Sequence, residues 1–211
     1  MSLPDAPAKA PATSRWRLPV LAPIVVVVLG LLVASCGINN IPTYEETSKA
    51  KWSEVENQYQ RRSELIPNLV ETVKGFAKQE REVLESVTEA RSRASSIQAT
   101  PDLVSNPEAF KKFQEAQAQL SGALGRLLVV SERYPELKSN ANFLALQAQL
   151  EGTENRLAVA RRDYIEAVRV YNTELRTFPG VIWAKLLYAG SKPMAEFTVA
   201  QDVRRNPQVK F

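Results

Sequence analysis

The stretch "WSEVENQYQRRSELIPNLVETVKGFAKQEREVLESVTEARSRASSI", residues 52–97, decides the fold. Its apolar positions recur with alternating steps of three and four: Trp52, Val55, Tyr59, Arg62, Ile66, Leu69, Val73, Phe76, Glu80, Val83, Val87, Ala90, Ala94 and Ile97. Twelve of these fourteen are apolar or aromatic, the exceptions being Arg62 and Glu80. At 3.6 residues per turn, such steps keep side chains on one helical face, and their persistence describes a coiled-coil-like seam. A rod from Glu45 to Gln98 would be about 80 Å long at 1.5 Å per residue. Pro67 removes one backbone hydrogen bond inside it, so a kink or short break is expected near Leu65.

Two further seams follow. "QATPDLVSNPEAF" interrupts the first, and Asn106-Pro107-Glu108 is a helix start: a capping side chain, a proline at the first turn, and an acid at the positive end of the dipole. The second seam runs Phe110, Phe113, Gln117, Leu120, Leu124, Leu127, Ser131, Tyr134. "RYPELKSN" breaks it, and the third runs Phe143, Leu146, Leu150, Thr153, Leu157, Ala160, Tyr164, Ala167, Tyr171 until "TFPG" at 177–180. Short links between long amphipathic rods predict antiparallel packing. The fold class is therefore all-α: an elongated antiparallel bundle of three to four long helices, the first kinked near Pro67.

Composition narrows the chemistry. None of the 211 residues is histidine, and one is cysteine. The commonest general base, the commonest zinc ligand and every Ser-His or Cys-His pair are absent. A di-iron bundle of the Glu-x-x-His kind is excluded, and one cysteine builds neither an intrachain disulfide nor a thiolate cluster. No metal, cofactor or catalysis is expected. The net charge of +4 falls to +2 once residues 1–35, with Lys9, Arg15 and Arg17 against Asp5, are set aside. That balance does not point to nucleic acid.

Before the rods, residues 18–35, "LPVLAPIVVVVLGLLVAS", carry no charge and follow a modestly basic start. This is a signal pattern. With Pro19 and Pro23 inside, it is shorter than the roughly 20 residues that cross a bilayer comfortably. Val33-Ala34-Ser35-Cys36 matches a lipobox: an aliphatic residue, two small residues, then the thiol that takes a diacylglyceryl group. Several acyl chains, at about 0.8 kcal/mol per buried CH₂, hold a protein on a membrane stably. The alternative is an uncleaved signal anchor. Both put residues 37 onward outside the cytoplasm, the basic residues staying inside. Gly37, in place of Asp, leans towards the outer membrane.

"NQYQRRSELIPNLVETVKGFAKQE" (57–80) and "YPELKSNANFLALQAQLEGTENRLAVARRDYIEAVRVYNTELRTFPG" (134–180) together resemble the LemA family, as does the opening "CGINNIPTYEE" (36–46). The likeness covers roughly Ile38 to Phe197. Gln79 stands where a histidine is common, so no imidazole role carries over. The resemblance implies a membrane-attached helical bundle outside the cytoplasm, with no general activity established for the family. Magnetosome relatives linked to building a membrane compartment make membrane organisation a second expectation. The domain reading is 1–35 signal peptide or anchor, 36–44 tether, 45–190 LemA-like bundle and 191–211 irregular tail.

Several residues stand out as partner or register candidates. Arg61 and Arg62 precede "ELIPNLV", and Arg62 lies on the seam. It either grips a partner's carboxylate or a lipid phosphate, or lays its stem along the seam towards water or a bundle acid. Pro67-Asn68 is either a hinge, with Asn68 bonding the backbone groups freed by Pro67, or a simple kink. Glu154, Asn155 and Arg156 beside Thr153 are a register device between rods, a solvated face or a ligand site, and Arg156 has Glu80 as a candidate partner. "VIWAKLL" (181–187) caps the bundle or lies on a bilayer. The functional expectation is a non-enzymatic, membrane-anchored interaction protein of the bacterial envelope. Its partners would be the membrane, an envelope protein not identified by the sequence, and further copies of the chain. The alternatives are a membrane-shaping or lipid-binding protein and an accessory subunit of an envelope enzyme.

Overall fold

The computed structural model describes residues 37–197, preceded by helical residues 23–26, 28 and 30. The lipobox Val33, Ala34, Ser35 and Cys36 and residues 198–211 lie outside the described residues. The chain divides into two units, Met1–Ile38 and Asn39–Phe211. In the first, Ile24, Val25, Val26 and Val28 are exposed. Among the described residues no helix is long and apolar enough to cross a membrane.

Every regular element described in the second unit is helical. Helix α1 spans Asn40–Phe76, 37 residues, about 55 Å at 1.5 Å per residue. Helix α2 spans Arg81–Ser96, and a 3₁₀ turn covers Leu103–Ser105. Helix α3 spans Pro107–Ser131, a short α4 spans Pro135–Lys138, α5 spans Ala141–Glu174 and α6 spans Gly180–Leu186. Asn106 caps α3 by accepting the Ala109 N–H at 3.2 Å, with Pro107 at the first helical position. Asn140 does the same for α5, accepting the Phe143 N–H at 3.0 Å. Each cap satisfies one of the amide donors a helix start leaves free.

The first rod differs from its expectation in three ways. It starts at Asn40, five residues before the expected Glu45. It is continuous through Pro67, without the short break that was one of the two expectations there. It is interrupted instead at residues 77–80, just after Gly75, a poor helix former. Glu80 is held at this corner by Arg133 Nη2 at 2.9 Å and the Tyr134 hydroxyl at 3.0 Å. The break shifts the seam locally: Ala77 is fully buried while Phe76 is 37% exposed, and Leu84 takes the core place expected of Val83. Val87, Ala90 and Ala94 return to the expected frame. Pro67 has no N–H to offer the Ser63 carbonyl one turn back. Arg91 Nε on α2 bonds that oxygen at 2.9 Å. Asn68 does not do this; it is exposed, and its carbonyl accepts the Thr72 hydroxyl at 2.8 Å.

Cross-helix pairs give the directions. Asn40 bonds Glu174 at 3.1 Å, Lys51 lies 3.7 Å from Asp163, and Arg62 lies 2.9 Å from Glu154, so α1 and α5 are antiparallel. Trp52 Nε1 donates to the Ala99 carbonyl at 2.8 Å and Ser63 meets Ser95 at 3.0 Å, so α2 descends alongside α1. Trp52 stacks near Phe110 and Phe113, and Arg62 reaches Ser121, so α3 runs in the same direction as α1.

Two apolar cores form along this axis. One, nearer the end of α1, holds Ile66, Leu69, Val73, Leu120, Leu127 and Phe143. The other, nearer its start, gathers Ile41, Trp52, Tyr59, Phe113, Tyr164 and Tyr171. Each large apolar side chain fully removed from water contributes roughly 1.5–3 kcal/mol. The seam residues supply both cores, with Val168 replacing Ala167 as the buried member near the end of α5.

The described part of the tail is irregular yet docked. Asn172 grips the Met194 backbone twice, accepting its N–H and donating to its carbonyl, both at 2.9 Å. The Tyr164 hydroxyl donates to the Ala195 carbonyl at 2.7 Å, and the Phe197 ring lies 6.0 Å from Trp52. Helix α6 packs against α1, with Trp183 and Ala184 against the second core. A methyl group at Gly180 would land on the Glu174 carbonyl oxygen and 2.8 Å from its Oε1, so only glycine permits this approach.

Candidate functional site

Between the two cores lies a polar layer. Of the six buried polar residues described in the bundle, four belong to it: Gln58 and Arg62 from α1, Gln117 from α3 and Thr153 from α5. Helical spacing explains the set. Residues 58 and 62 are four apart, so they share a face one turn apart. Antiparallel α5 brings Thr153, Glu154 and Arg156 opposite them.

Arg62 is the centre. It is 1% exposed, and its Nη2 donates to Ser121 Oγ at 2.7 Å. Ser121 Oγ in turn donates to the Gln117 carbonyl at 3.0 Å. The Arg62 Nε lies 2.9 Å from Glu154 Oε1, an ion pair whose carboxylate side chain is 48% exposed. The pair is close but poorly aligned: Arg62 Nε and Nη1 are both buried without a hydrogen-bond acceptor. Charge proximity supplies the attraction here. Burial pushes the Arg62 pKa down, Glu154 opposes that shift, and the nearby positive Arg161 adds to it.

Arg161 was not singled out from the sequence. Its guanidinium lies 5.1 Å from the Tyr59 ring centroid and equally far from that of Phe197, and it donates to the Tyr59 hydroxyl. The signal for it was the aromatic Tyr59 on the facing seam. Burial raises the Tyr59 pKa, with Arg161 acting against that shift through its charge and its hydrogen bond.

The remaining candidates separate by position. Glu154, Asn155 and Arg156 are exposed residues at the rim of the layer. Arg156 bonds Gln58 Oε1 at 3.3 Å and Thr153 Oγ1 at 3.1 Å. It does not meet Glu80, which sits at the α1–α2 corner with Arg133 and Tyr134, because antiparallel packing sets 154–156 opposite 58–62. Arg61, Pro67 and Asn68 are exposed and lie outside the layer. Among the described residues no group of three His, Cys, Asp or Glu is placed to hold a metal ion. The layer presents guanidiniums, amides and hydroxyls, with a phenol held in its neutral form. It can fix the register of three helices and bind a carboxylate.

The LemA family model matches residues 51–211. The chain is 27% identical over 201 residues to magnetosome protein MamQ 2 of Paramagnetospirillum magneticum, covering 86% of this chain and 73% of that protein. It is 26% identical over 157 residues to magnetosome protein MamQ of Magnetospirillum gryphiswaldense, covering 67% and 58%. It is 24% identical over 118 residues to the protein LemA of Metamycoplasma hominis, covering 56% and 50%.

Proposed function

Because the chain belongs to the LemA family, we propose that it is a membrane-attached, extracytoplasmic scaffold of the bacterial envelope: an elongated antiparallel bundle of four long helices that presents its faces to an envelope protein or to further copies of itself. No catalysis is part of this reading. The observation that carries it is the start of α1 at Asn40, four residues after Cys36. Four residues reach at most about 14 Å. A lipid or span at the end of the apolar run therefore holds the bundle by one end, next to the bilayer, with its far end on the order of 55 Å away along α1.

The test is Cys36→Ala in the natural envelope. The wild type should be processed and take up a fatty-acid analogue, while the variant accumulates as a larger, unlabelled precursor. Equal migration of the two, both unlabelled, removes the lipoprotein form and leaves the uncleaved anchor. Crosslinking in intact envelopes then identifies what the bundle docks.

The second reading, a membrane-organising protein, draws on the similarity to magnetosome proteins over 86% of the chain. The two readings part on vesicles bearing the full chain. Unchanged vesicle shape under the electron microscope supports the scaffold. Tubes or constrictions appearing with protein density support membrane shaping.

A further inference from the structure

Among the described residues of the bundle unit, eight large apolar side chains are exposed. Four are scattered singly, at Phe76, Val129, Leu144 and Val159. The other four fall within ten residues: Phe178 at 72%, Ile182 at 41%, Leu186 at 71% and Leu187 at 57% exposed. Ile182 and Leu186 are four apart and so share one side of α6, and Phe178 lies in the turn that leads into the helix. Trp183 and Ala184 of the same helix pack on the core. Residues 175–195 carry Arg176, Lys185 and Lys192 and no acid. All three cations are exposed.

The location of this patch is set by contacts already described. It follows α5 directly, Gly180 abuts Glu174, and Glu174 bonds Asn40 at the start of α1. Asn40 is four residues from Cys36.

We propose that the exposed apolar cluster of Phe178, Ile182, Leu186 and Leu187, in and beside α6 and accompanied in sequence by the exposed cations Arg176, Lys185 and Lys192, rests on the lipid surface to which the chain is anchored, with a preference for anionic headgroups. An exposed apolar cluster accompanied by cations and no acid is what an interfacial segment requires: the apolar side chains enter the headgroup boundary and the cations meet lipid phosphates. The segment is too short to bind a membrane by itself. A tether of about 14 Å keeps it at high effective concentration beside the bilayer, where a small surface suffices. Docked this way, the bundle acquires a fixed tilt on the membrane in place of free rotation about its tether. This proposal rests on the membrane attachment argued above, and the experiment separates the two.

The full chain is reconstituted into phosphatidylcholine vesicles with and without phosphatidylglycerol, carrying a diazirine amino acid at Leu186 or at Val129. Val129 is 68% exposed but sits near the end of α3, at the bundle's far end. A third probe at Phe178 covers the case in which the Leu186 substitution disturbs folding, which lost helicity would reveal. The expected result is lipid crosslinking at Leu186 and Phe178 at least about fivefold above Val129, rising with phosphatidylglycerol. Vesicle flotation of the chain with equal lipid labelling at the three positions overturns the proposal and leaves the attachment standing. Crosslinking of Leu186 to protein in place of lipid likewise overturns it, because the occupant is then a second copy. Failure to float overturns the attachment, and this proposal with it.

Discussion

Arg91 supplies to the Ser63 carbonyl the hydrogen bond that Pro67 cannot. The guanidinium Nε of α2 reaches that oxygen at 2.9 Å, and α1 stays helical through the proline. A proline that would otherwise weaken a lone helix has become a point where a neighbouring helix attaches.

Arg91→Ala should therefore cost about 1–2 kcal/mol, the range of a hydrogen bond from a charged donor in a half-buried place. In a Pro67→Ala background the same substitution should cost clearly less, because the new N–H of residue 67 satisfies Ser63. Pro67→Ala alone should raise the melting temperature, since an alanine suits a helix interior far better than a proline. Urea unfolding of the four chains forms a double-mutant cycle. Additive costs would show that the Arg91 bond has nothing to do with the proline.

The seam makes a sharper claim. Leu69 is fully buried in the first core, while Glu71 is exposed and pairs only with Lys74 at 3.2 Å. Leu69→Ala should cost about 2–5 kcal/mol by leaving a cavity. Glu71→Ala should cost well under about 1 kcal/mol. Equal melting temperatures for the two would mean that the helical frame is misassigned.

Much of this arrangement was legible in the residues. Of the second seam, Phe110, Phe113, Gln117, Leu120, Leu124, Leu127 and Ser131 are all buried, and the Asn106 cap sits where the sequence placed it. What escaped was non-local. The corner at residues 77–80 depends on Glu80 meeting Arg133 and Tyr134, more than fifty residues on, and no periodicity in the first rod announces that. Pro67 drew attention as the break point because its partner Arg91 lies on another helix. The polar layer was half visible: Arg62 on the seam and Thr153 beside Glu154 were flagged, but their meeting needed the antiparallel pairing of α1 with α5. Arg161 was passed over, because its contacts with Tyr59 and Phe197 come from other parts of the chain. The docking of residues 191–197 was invisible, since backbone groups gripped by Asn172 leave no pattern of their own.

Alkaline pH should test that docking. Tyr164 is fully buried, its hydroxyl bonds Ala195, and burial pushes its pKa well above the ordinary tyrosine value, with Glu196 adding to the shift. Tyr59 and Tyr171 shift in the same direction, burial again leading. In the unfolded chain these phenols ionise near pH 10. Above that point the unfolded chain releases protons that the folded chain keeps, so stability falls as pH rises through the folded pKa values. Below about pH 10 this contribution is fully present. Tyr164→Phe should cost about 1–2 kcal/mol at neutral pH, by leaving Ala195 unpaired. It should also make the alkaline decline in melting temperature shallower than in the wild type. An unaltered decline would assign the alkaline loss to other groups.

The last prediction separates packing from recognition at the polar layer. Arg62 is buried, Arg161 repels it, and two of its donors lack acceptors. Its partner Glu154 is half exposed, so water can solvate that carboxylate once the arginine is gone. The cost of taking the guanidinium out of water and the gain from one imperfect pair then nearly cancel. Arg62→Met, which keeps the stem and drops the charge, should leave stability within about 1 kcal/mol of wild type or raise it. Arg62→Ala should cost about 2–4 kcal/mol, because it also opens a cavity between the cores. Arg156→Ala should change stability by less than about 1 kcal/mol, since its side chain lies at the exposed rim. Denaturant midpoints of the three variants decide the packing question. Envelope crosslinking of the same variants decides the other. If Arg62→Met melts like wild type and keeps every crosslink, the charge serves neither stability nor docking, and its place is to hold three helices in register. If Arg156→Ala melts like wild type and loses a crosslink, the rim of the layer is the docking surface.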